Sequence, residues 1–122
     1  MRRIALSLPE TIESQDNFGF RVRNSSSKSG SKQFAWAWNE RVTQGRPRMP
    51  RQDVLAVRVA GQAEKEMLLA SDPDKFFTEP HYDGYPAVLI RLPAVQADEL
   101  RELITDAWRC QAPRSLVRDS GL

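Results

Sequence analysis

The stretch from residue 34 to residue 38, Phe34-Ala35-Trp36-Ala37-Trp38, decides the fold class. Large aromatic residues alternate with alanines, and successive side chains of a β-strand point to opposite faces of its sheet. The stretch therefore predicts a strand with Phe34, Trp36 and Trp38 on one face. Aromatic residues at this spacing are typical of a sheet core, although rings beside arginines also suit stacking on the bases of a single nucleic-acid strand.

Segments on both sides of this strand show the same period of two. Residues 17–23, 54–59 and 87–92 alternate in this way and predict three further strands. Residues 24–32 are a Ser/Gly/Lys tract typical of a hairpin tip, and residues 76–78 are compatible with a short additional strand. Neighbouring strands joined by short links indicate an antiparallel sheet.

Apolar residues spaced at three and four positions predict three helices, over residues 2–8, 63–70 and 97–111. In the second helix, Ala63 and Met67 lie one turn apart and are predicted to face the core. The third helix has the clearest stripe. It consists of Leu100, Leu103, Ile104, Ala107 and Trp108.

These elements follow the order α-β-β-β-α-β(β)-α and predict one α+β domain over residues 1–122. The expected architecture has two layers, an antiparallel β-sheet with helices packed on one face. If the large apolar residues meet the helices, the other face carries a set of arginines among alanines at positions 35, 37, 56 and 87. These arginines are Arg21, Arg23, Arg58 and Arg91.

The composition excludes several classes of protein. The chain has 122 residues and a formal net charge of +2. No apolar run approaches the roughly 20 residues that span a bilayer, so no membrane association is expected. The single cysteine, Cys110, allows no intrachain disulfide, and the short apolar N-terminal segment ends at Pro9. A cytoplasmic location is therefore expected.

The mild net charge conceals an uneven distribution. Residues 1–60 carry a net charge of +6, and residues 61–122 carry −4. Within residues 21–51 the net charge is +7. The basic residues of this stretch are candidate nucleic-acid contacts: Arg21, Arg23, Lys28, Lys32, Arg41, Arg46, Arg48 and Arg51. Residues 24–32 and 41–52 are predicted loops that either contact phosphates or form ordinary solvated surface.

A candidate pocket is suggested by the segment His81-Tyr82-Asp83-Gly84-Tyr85-Pro86. Its polar aromatic residues, together with Trp36, have the groups that a small-molecule pocket uses. The simpler interpretation is a structural turn, because Asp-Gly is a turn former. His81 is the only histidine, and no metal-ligand spacing or catalytic motif accompanies it. The sequence therefore predicts no enzyme, no metal and no cofactor.

Several local patterns occur in one order along nearly the whole chain. They are Ala5-Leu6-Ser7-Leu8-Pro9-Glu10, Phe34-Ala35-Trp36, Ala70-Ser71-Asp72-Pro73-Asp74-Lys75-Phe76-Phe77, residues 81–92, Leu100-Arg101-Glu102-Leu103, Trp108 and Ala112-Pro113. In the order and identity of these patterns, the chain resembles the MmcQ/YjbR family of small bacterial proteins. The resemblance implies a two-layer fold with an antiparallel sheet, similar to type III secretion chaperones and to frataxin, and it implies DNA binding without agreed catalytic residues.

Two functional hypotheses follow. The first is a non-enzymatic DNA-binding protein that contacts the phosphate backbone through the basic loops and the sheet face. The second is a small-molecule or protein-binding module with a pocket around Trp36, Tyr82 and Tyr85. An iron role of the frataxin type is disfavoured, because it would call for an acidic first helix and this one carries Arg2 and Arg3.

Overall fold

A computed structural model describes residues 2–14, 19–40 and 49–122 of the chain. Its strands are β1 (Thr11–Ser14), β2 (Gly19–Arg23), β3 (Ser31–Glu40), β4 (Met49–Arg58), β5 (Phe76–Phe77) and β6 (Ala87–Arg91). Its helices are α1 (Arg2–Leu6), α2 (Gln62–Ser71), α3 (Ala97–Gln111) and α4 (Arg114–Ser120), with short 3-10 turns at Pro80–Tyr82 and Leu92–Ala94.

The strands form one antiparallel sheet in the order β1-β2-β3-β4-β6-β5. This confirms the predicted α+β architecture and, roughly, the predicted order of elements. β1 is an additional strand, paired with β2 at the sheet edge. The prediction of a loop over residues 41–52 is wrong for residues 49–52, because β4 starts at Met49 and pairs with the end of β3. Residues 41–48 lie outside the described residues.

The main core lies between the sheet and the helices. Phe20, Val22, Leu55, Val57 and other alternating strand residues face a cluster that includes residues of α1 and α3, with α2 and α4 packed against it. The α3 stripe contributes its buried residues as predicted, and Asp98 and Glu99 lie in the first turn, where the helix dipole favours carboxylates. We call this side of the sheet the helix-covered face and the opposite side the open face.

The predicted common face for the aromatic residues of β3 is wrong. Phe34 is fully buried in the helix-covered core, whereas Trp36 packs on the open face beside Val54 and Leu89. The register explains the difference: Phe20 pairs with Ala35 and Arg21 with Gln33, so Phe34 is an extra residue in a β-bulge. A bulge shifts the alternation by one position, which separates Phe34 from Trp36. The side chain of Trp38 lies outside the described part of the chain.

The predicted core face of α2 is also wrong. The Met67 side chain is 71% exposed, and Ala63 is exposed as well. The face that packs inward carries Lys65, Leu68 and Leu69. Lys65 is 2% exposed because its ammonium group finds acceptors within the fold, as described below. The inward face of α2 thus carries a lysine, and it is not the face of Ala63 and Met67 that was predicted.

The C-terminal end of α3 is fastened to the β2–β3 hairpin. The Asn24 side chain donates to the Gln111 carbonyl at 2.8 Å, and the Gln111 side chain donates to the Gln33 carbonyl at 3.0 Å. Asn24 also accepts hydrogen bonds from the backbone N–H and the hydroxyl of Ser26, which shapes the hairpin tip. Trp108 donates from Nε1 to the Pro9 carbonyl at 2.9 Å. These bonds fix the helix layer relative to the sheet.

Candidate nucleic-acid interface

An aromatic cluster lies on the open face. Trp36 of β3 meets Tyr82 and Tyr85 from the segment that precedes β6, with ring centroids 6.2–6.4 Å apart. The indole Nε1 of Trp36 donates to the Tyr82 hydroxyl at 3.1 Å. Val54 and Ala56 lie beneath these rings and are buried. The structure thus brings Trp36 next to Tyr82, which lies 46 positions later in the chain, and next to Tyr85.

Two arginines flank this cluster and contact aromatic rings. The Arg58 guanidinium donates to the Tyr85 hydroxyl at 3.0 Å and lies 5.0 Å from the centroid of that ring. The Arg91 guanidinium lies 4.0 Å from the ring centroid of Phe77, in cation–π geometry. Each contact holds a flexible arginine side chain over the sheet, and its partner is neutral, so the positive charge is not neutralised. Arginine charge and aromatic surface are therefore adjacent on the open face.

Arg21 belongs to the same face but lies farther toward the hairpin. It alternates with the buried residues Phe20 and Val22, so it points away from the helices. Its guanidinium donates to the Ser31 and Ser29 hydroxyls and to the Ser31 carbonyl. These acceptors are neutral, so they orient the side chain without cancelling its charge.

The other basic candidates are not all brought to one surface. Arg23 is exposed and forms an ion pair with Glu10 at 3.3 Å, which neutralises part of its charge. Lys28 is exposed at the hairpin tip. Lys32 pairs in register with the buried Val22, which places it on the helix-covered side. The remaining candidates have side chains outside the described residues: Arg41, Arg46, Arg48 and Arg51.

The remaining pocket candidates contribute less. Asp83 is exposed in the turn before Gly84, whose positive φ of 74° suits glycine. His81 lies in the 3-10 turn Pro80–Tyr82, and its side chain is outside the described part of the structure. Of the predicted pocket residues, Trp36, Tyr82 and Tyr85 are therefore the three with described ring contacts.

Lys65 positions the aromatic segment, and the sequence interpretation missed it. Its Nζ donates to the backbone carbonyls of Tyr82 and, at 2.9 Å, Tyr85. A buried ammonium group is costly unless it is hydrogen-bonded, and here two carbonyls accept from it. The bonds tie the turn that carries both tyrosines to α2. The available signal was helical spacing, because Lys65 shares one face with Leu68 and Leu69.

A separate groove of about 610 Å³ lies between α2, α3 and the end of β4. Its walls include Val57, Leu68, Leu103 and the exposed Met67, with Cys110 at one side. Arg58 also lines this groove, together with Glu64 and Asp106, so its side chain borders both the groove and the open face. Partial burial raises the pKa of the Cys110 thiol, although the nearby Arg58 charge acts in the opposite direction. The thiol is therefore a weaker nucleophile at neutral pH than an unperturbed cysteine.

Clusters of metal-ligand side chains and membrane-spanning helices are both absent from residues 2–14, 19–40 and 49–122. These residues contain no group of three or more His, Cys, Asp or Glu side chains placed to hold a metal ion. They also contain no helix with the length and apolar character needed to cross a bilayer.

Comparisons with known proteins agree on a family and a fold. The sequence model of the YjbR family matches residues 6–110. Uncharacterized protein Mb2600 of Mycobacterium bovis and Uncharacterized protein Rv2570 of Mycobacterium tuberculosis are each 40% identical to the chain over 122 residues, covering 95% of this chain and 88% of the relative. The crystal structure of Deinococcus radiodurans protein DR2400, which has a DUF419 domain, matches 99% of this chain and 78% of its own, with a TM-score of 0.60 and 23% identity. At that identity the structural similarity shows the fold.

Proposed function

The chain belongs to the YjbR family, and we propose that it is a non-enzymatic, cytoplasmic DNA-binding protein, with residues 1–122 acting as one domain. It contacts the phosphate backbone through cationic side chains of the open face and of the β2–β3 hairpin. Arg21, Arg58 and Arg91 provide the face contacts, and Lys28 extends them at the hairpin tip.

The observation that carries this proposal is the charge of the open face. Its arginines Arg21, Arg58 and Arg91 bond to hydroxyls, a carbonyl or ring faces, and none of the ion pairs among the described residues includes them. By contrast, α3 carries four carboxylates and two arginines on its sequence. Positive charge outside direct ion pairs on one face is the arrangement that attracts a polyanion.

The α3 helix argues against a different mode of DNA recognition. A helix that enters the major groove presents basic or amide side chains along its exposed side. α3 instead exposes Asp98, Glu102 and Asp106, which phosphates would repel. The proposal therefore assigns contact to the sheet and the hairpin.

Fluorescence anisotropy with an end-labelled DNA at increasing salt tests the proposal. Affinity is expected to fall steeply with salt, because each phosphate contact releases counterions. The triple variant Arg21→Gln, Arg58→Gln, Arg91→Gln should bind more weakly and show a shallower salt slope. A matched control, Arg101→Gln, Arg114→Gln, Arg118→Gln, removes the same charge from exposed helical positions. No binding at low salt, or equal losses in the two variants, would contradict the proposal.

A small-molecule-binding module is the second candidate. The groove between α2 and α3 favours it, at a place other than the pocket predicted around Trp36, Tyr82 and Tyr85. Its walls are mostly apolar and its volume of about 610 Å³ lies in the range of ligand pockets. A thermal-shift screen of metabolites tests this function, since a ligand that binds the folded protein raises the unfolding midpoint. Loss of that shift in Leu103→Glu, with retained folding, would assign the ligand to the groove; a shift that Leu103→Glu leaves unchanged would contradict this assignment.

A further inference from the structure

We infer that the open face binds single-stranded DNA in preference to duplex DNA, with bases stacked on the aromatic cluster of Trp36, Tyr82 and Tyr85. This inference rests on the proposed function and specifies its substrate class. Three features of the open face support it: the rings are exposed, arginines lie beside them, and the turn that carries the tyrosines is held by hydrogen bonds.

The rings form a surface that a base can reach. The Tyr85 residue is 41% exposed. The Arg58 guanidinium lies 5.0 Å from its ring centroid, so a base stacks on the other side of the ring or displaces that guanidinium. Trp36 and Tyr82 are half-buried beside Tyr85, and the indole N–H of Trp36 donates to the Tyr82 hydroxyl. The three rings therefore form a continuous aromatic patch rather than isolated side chains. Sheet faces that display such residues bind single strands by stacking two or three bases.

The arginines lie where a backbone passing over these rings would run. Arg58 pairs with Ala87 and Arg91 pairs opposite Val54, so the two arginines mark opposite ends of the β4–β6 ladder. Four residues separate these ends, which corresponds to about 13 Å along the strands. Arg58 is at the Tyr85 end, and Arg91 is at the Phe77 end. A strand whose bases stack between them would place phosphates near both charges.

The turn is held before any ligand arrives. Lys65 bonds to the carbonyls of Tyr82 and Tyr85, and the Tyr82 hydroxyl accepts from Trp36. Ordering side chains on binding costs free energy, so a surface already fixed by the fold binds more tightly. The bases of a duplex are stacked internally, so the rings, which are inclined 37–64° to one another, would meet only its outer phosphates. Exposed, fixed rings thus add affinity only for a strand with accessible bases.

A comparison of three labelled ligands tests this inference. They are oligo-dT of 20 nucleotides, an abasic deoxyribose-phosphate strand with the same number of phosphates, and a duplex of 20 base pairs. One stacked base accounts for about a tenfold gain in affinity, and this sets the smallest expected difference between oligo-dT and the abasic strand. The duplex should bind more weakly than oligo-dT at the same salt concentration.

Two substitutions of the exposed ring provide the control. Tyr85→Leu removes the ring and should bind oligo-dT about tenfold more weakly than Tyr85→Phe. Both variants lack the hydroxyl that accepts from Arg58, so they should bind the abasic strand equally. Tyr85→Phe keeps the ring and should retain most of the oligo-dT affinity. Circular dichroism verifies that both variants are folded; because Tyr85 is exposed, neither should unfold the protein.

The outcomes separate the inference from the proposed function. Equal affinity for oligo-dT and the abasic strand, or tighter binding of the duplex, overturns base stacking and leaves phosphate binding intact. Absence of binding to all three ligands overturns the proposed function itself. A loss with Tyr85→Leu that is equally large for the abasic strand also overturns the stacking inference.

Discussion

The two faces of the sheet are built from similar residues but differ in what covers them. On the helix-covered face, Phe34, Ile104 and Trp108 are completely buried. On the open face, a smaller apolar cluster of Val54, Ala56 and Leu89 is covered by Trp36, Phe77 and Tyr82, which are themselves half-buried. The helix-covered face is therefore a fully buried core, whereas the open face is covered only by half-buried aromatic side chains.

Because of this difference, the helix-covered face is expected to contribute more to stability, and the open face has more side-chain surface available for binding. Complete burial of large side chains supplies most of the folding free energy. The rings of the open face contribute less because water still reaches them, yet the fold supplies hydrogen bonds that hold them in place. Exposed aromatic and positively charged side chains held in a fixed arrangement are typical of a binding surface.

The largest expected effect compares two tryptophans. Trp108→Ala should destabilise the protein by about 3–5 kcal/mol, because it leaves a cavity in the sealed core and removes the bond to Pro9. Trp36→Ala should cost about 1–2 kcal/mol, since its ring is only partly buried. Urea unfolding measures both values. Equal costs would contradict the distinction between the faces.

Substitution of the buried lysine should have an intermediate effect. Lys65→Met keeps the length of the side chain but leaves the carbonyls of Tyr82 and Tyr85 without their donor. The expected loss of stability is about 1–3 kcal/mol. Glu66→Met, at an exposed neighbouring position, serves as the control and should change stability by less than about 0.5 kcal/mol.

A second readout of Lys65→Met distinguishes positioning from bulk stability. The turn that carries the tyrosines should loosen. Relative to the unsubstituted protein, hydrogen exchange should therefore accelerate more at the amides of residues 82–85 than at those of α3. Uniform acceleration across the protein would mean that Lys65 contributes only to global stability.

A smaller effect is expected within the aromatic cluster. Tyr82→Phe removes the hydroxyl that accepts from Trp36 Nε1 and should cost about 0.5–1.5 kcal/mol in urea unfolding. The emission of Trp36 should also change, because its indole loses a hydrogen-bond partner. Unchanged stability and emission would contradict the bond as described.

The smallest effect concerns the helix-covered side and leaves stability unaltered. Burial raises the pKa of the Cys110 thiol, so the thiolate fraction at pH 7–8 should be lower than for a free cysteine. Iodoacetamide should therefore react slowly there, with a rate that rises at higher pH than for free cysteine. Mass spectrometry of alkylation against pH provides the measurement, and a rate matching free cysteine would argue that the thiol is fully solvated.

The regular elements could be predicted from sequence because their causes are local. α3 spans Ala97–Gln111 as predicted, since a complete apolar stripe precedes the helix-breaking Pro113. The orientation of β3 could not be predicted, because the bulge at Phe34 depends on how β2 pairs with it. Lys65 was missed because its acceptors come from residues 17 and 20 positions later in the chain. The bulge in β3 and the burial of Lys65 thus both depend on residues that are distant in the sequence.

In the candidate site, too, the sequence indicates single residues, whereas their contacts depend on the fold. Trp36, Tyr82 and Tyr85 were grouped from their chemistry as a pocket of the alternative function, and Arg58 and Arg91 were placed on one sheet face from their alternation along strands. Their mutual contacts required the fold, because β3, β4, β6 and the turn before β6 contribute separately. The basic stretch of residues 21–51 divides between different surfaces, as Lys32 and Arg21 illustrate.

Hydroxyl-radical footprinting of the protein, free and bound to oligo-dT, tests most directly which face meets DNA. Tyr85 and Met67 are both exposed and lie on the open face and in the helical groove, respectively, so they report on the two surfaces. We expect binding to protect Tyr85 and Trp36 and to leave oxidation of Met67 unchanged. Protection of Met67 with no change at Tyr85 would contradict the assignment of DNA binding to the open face.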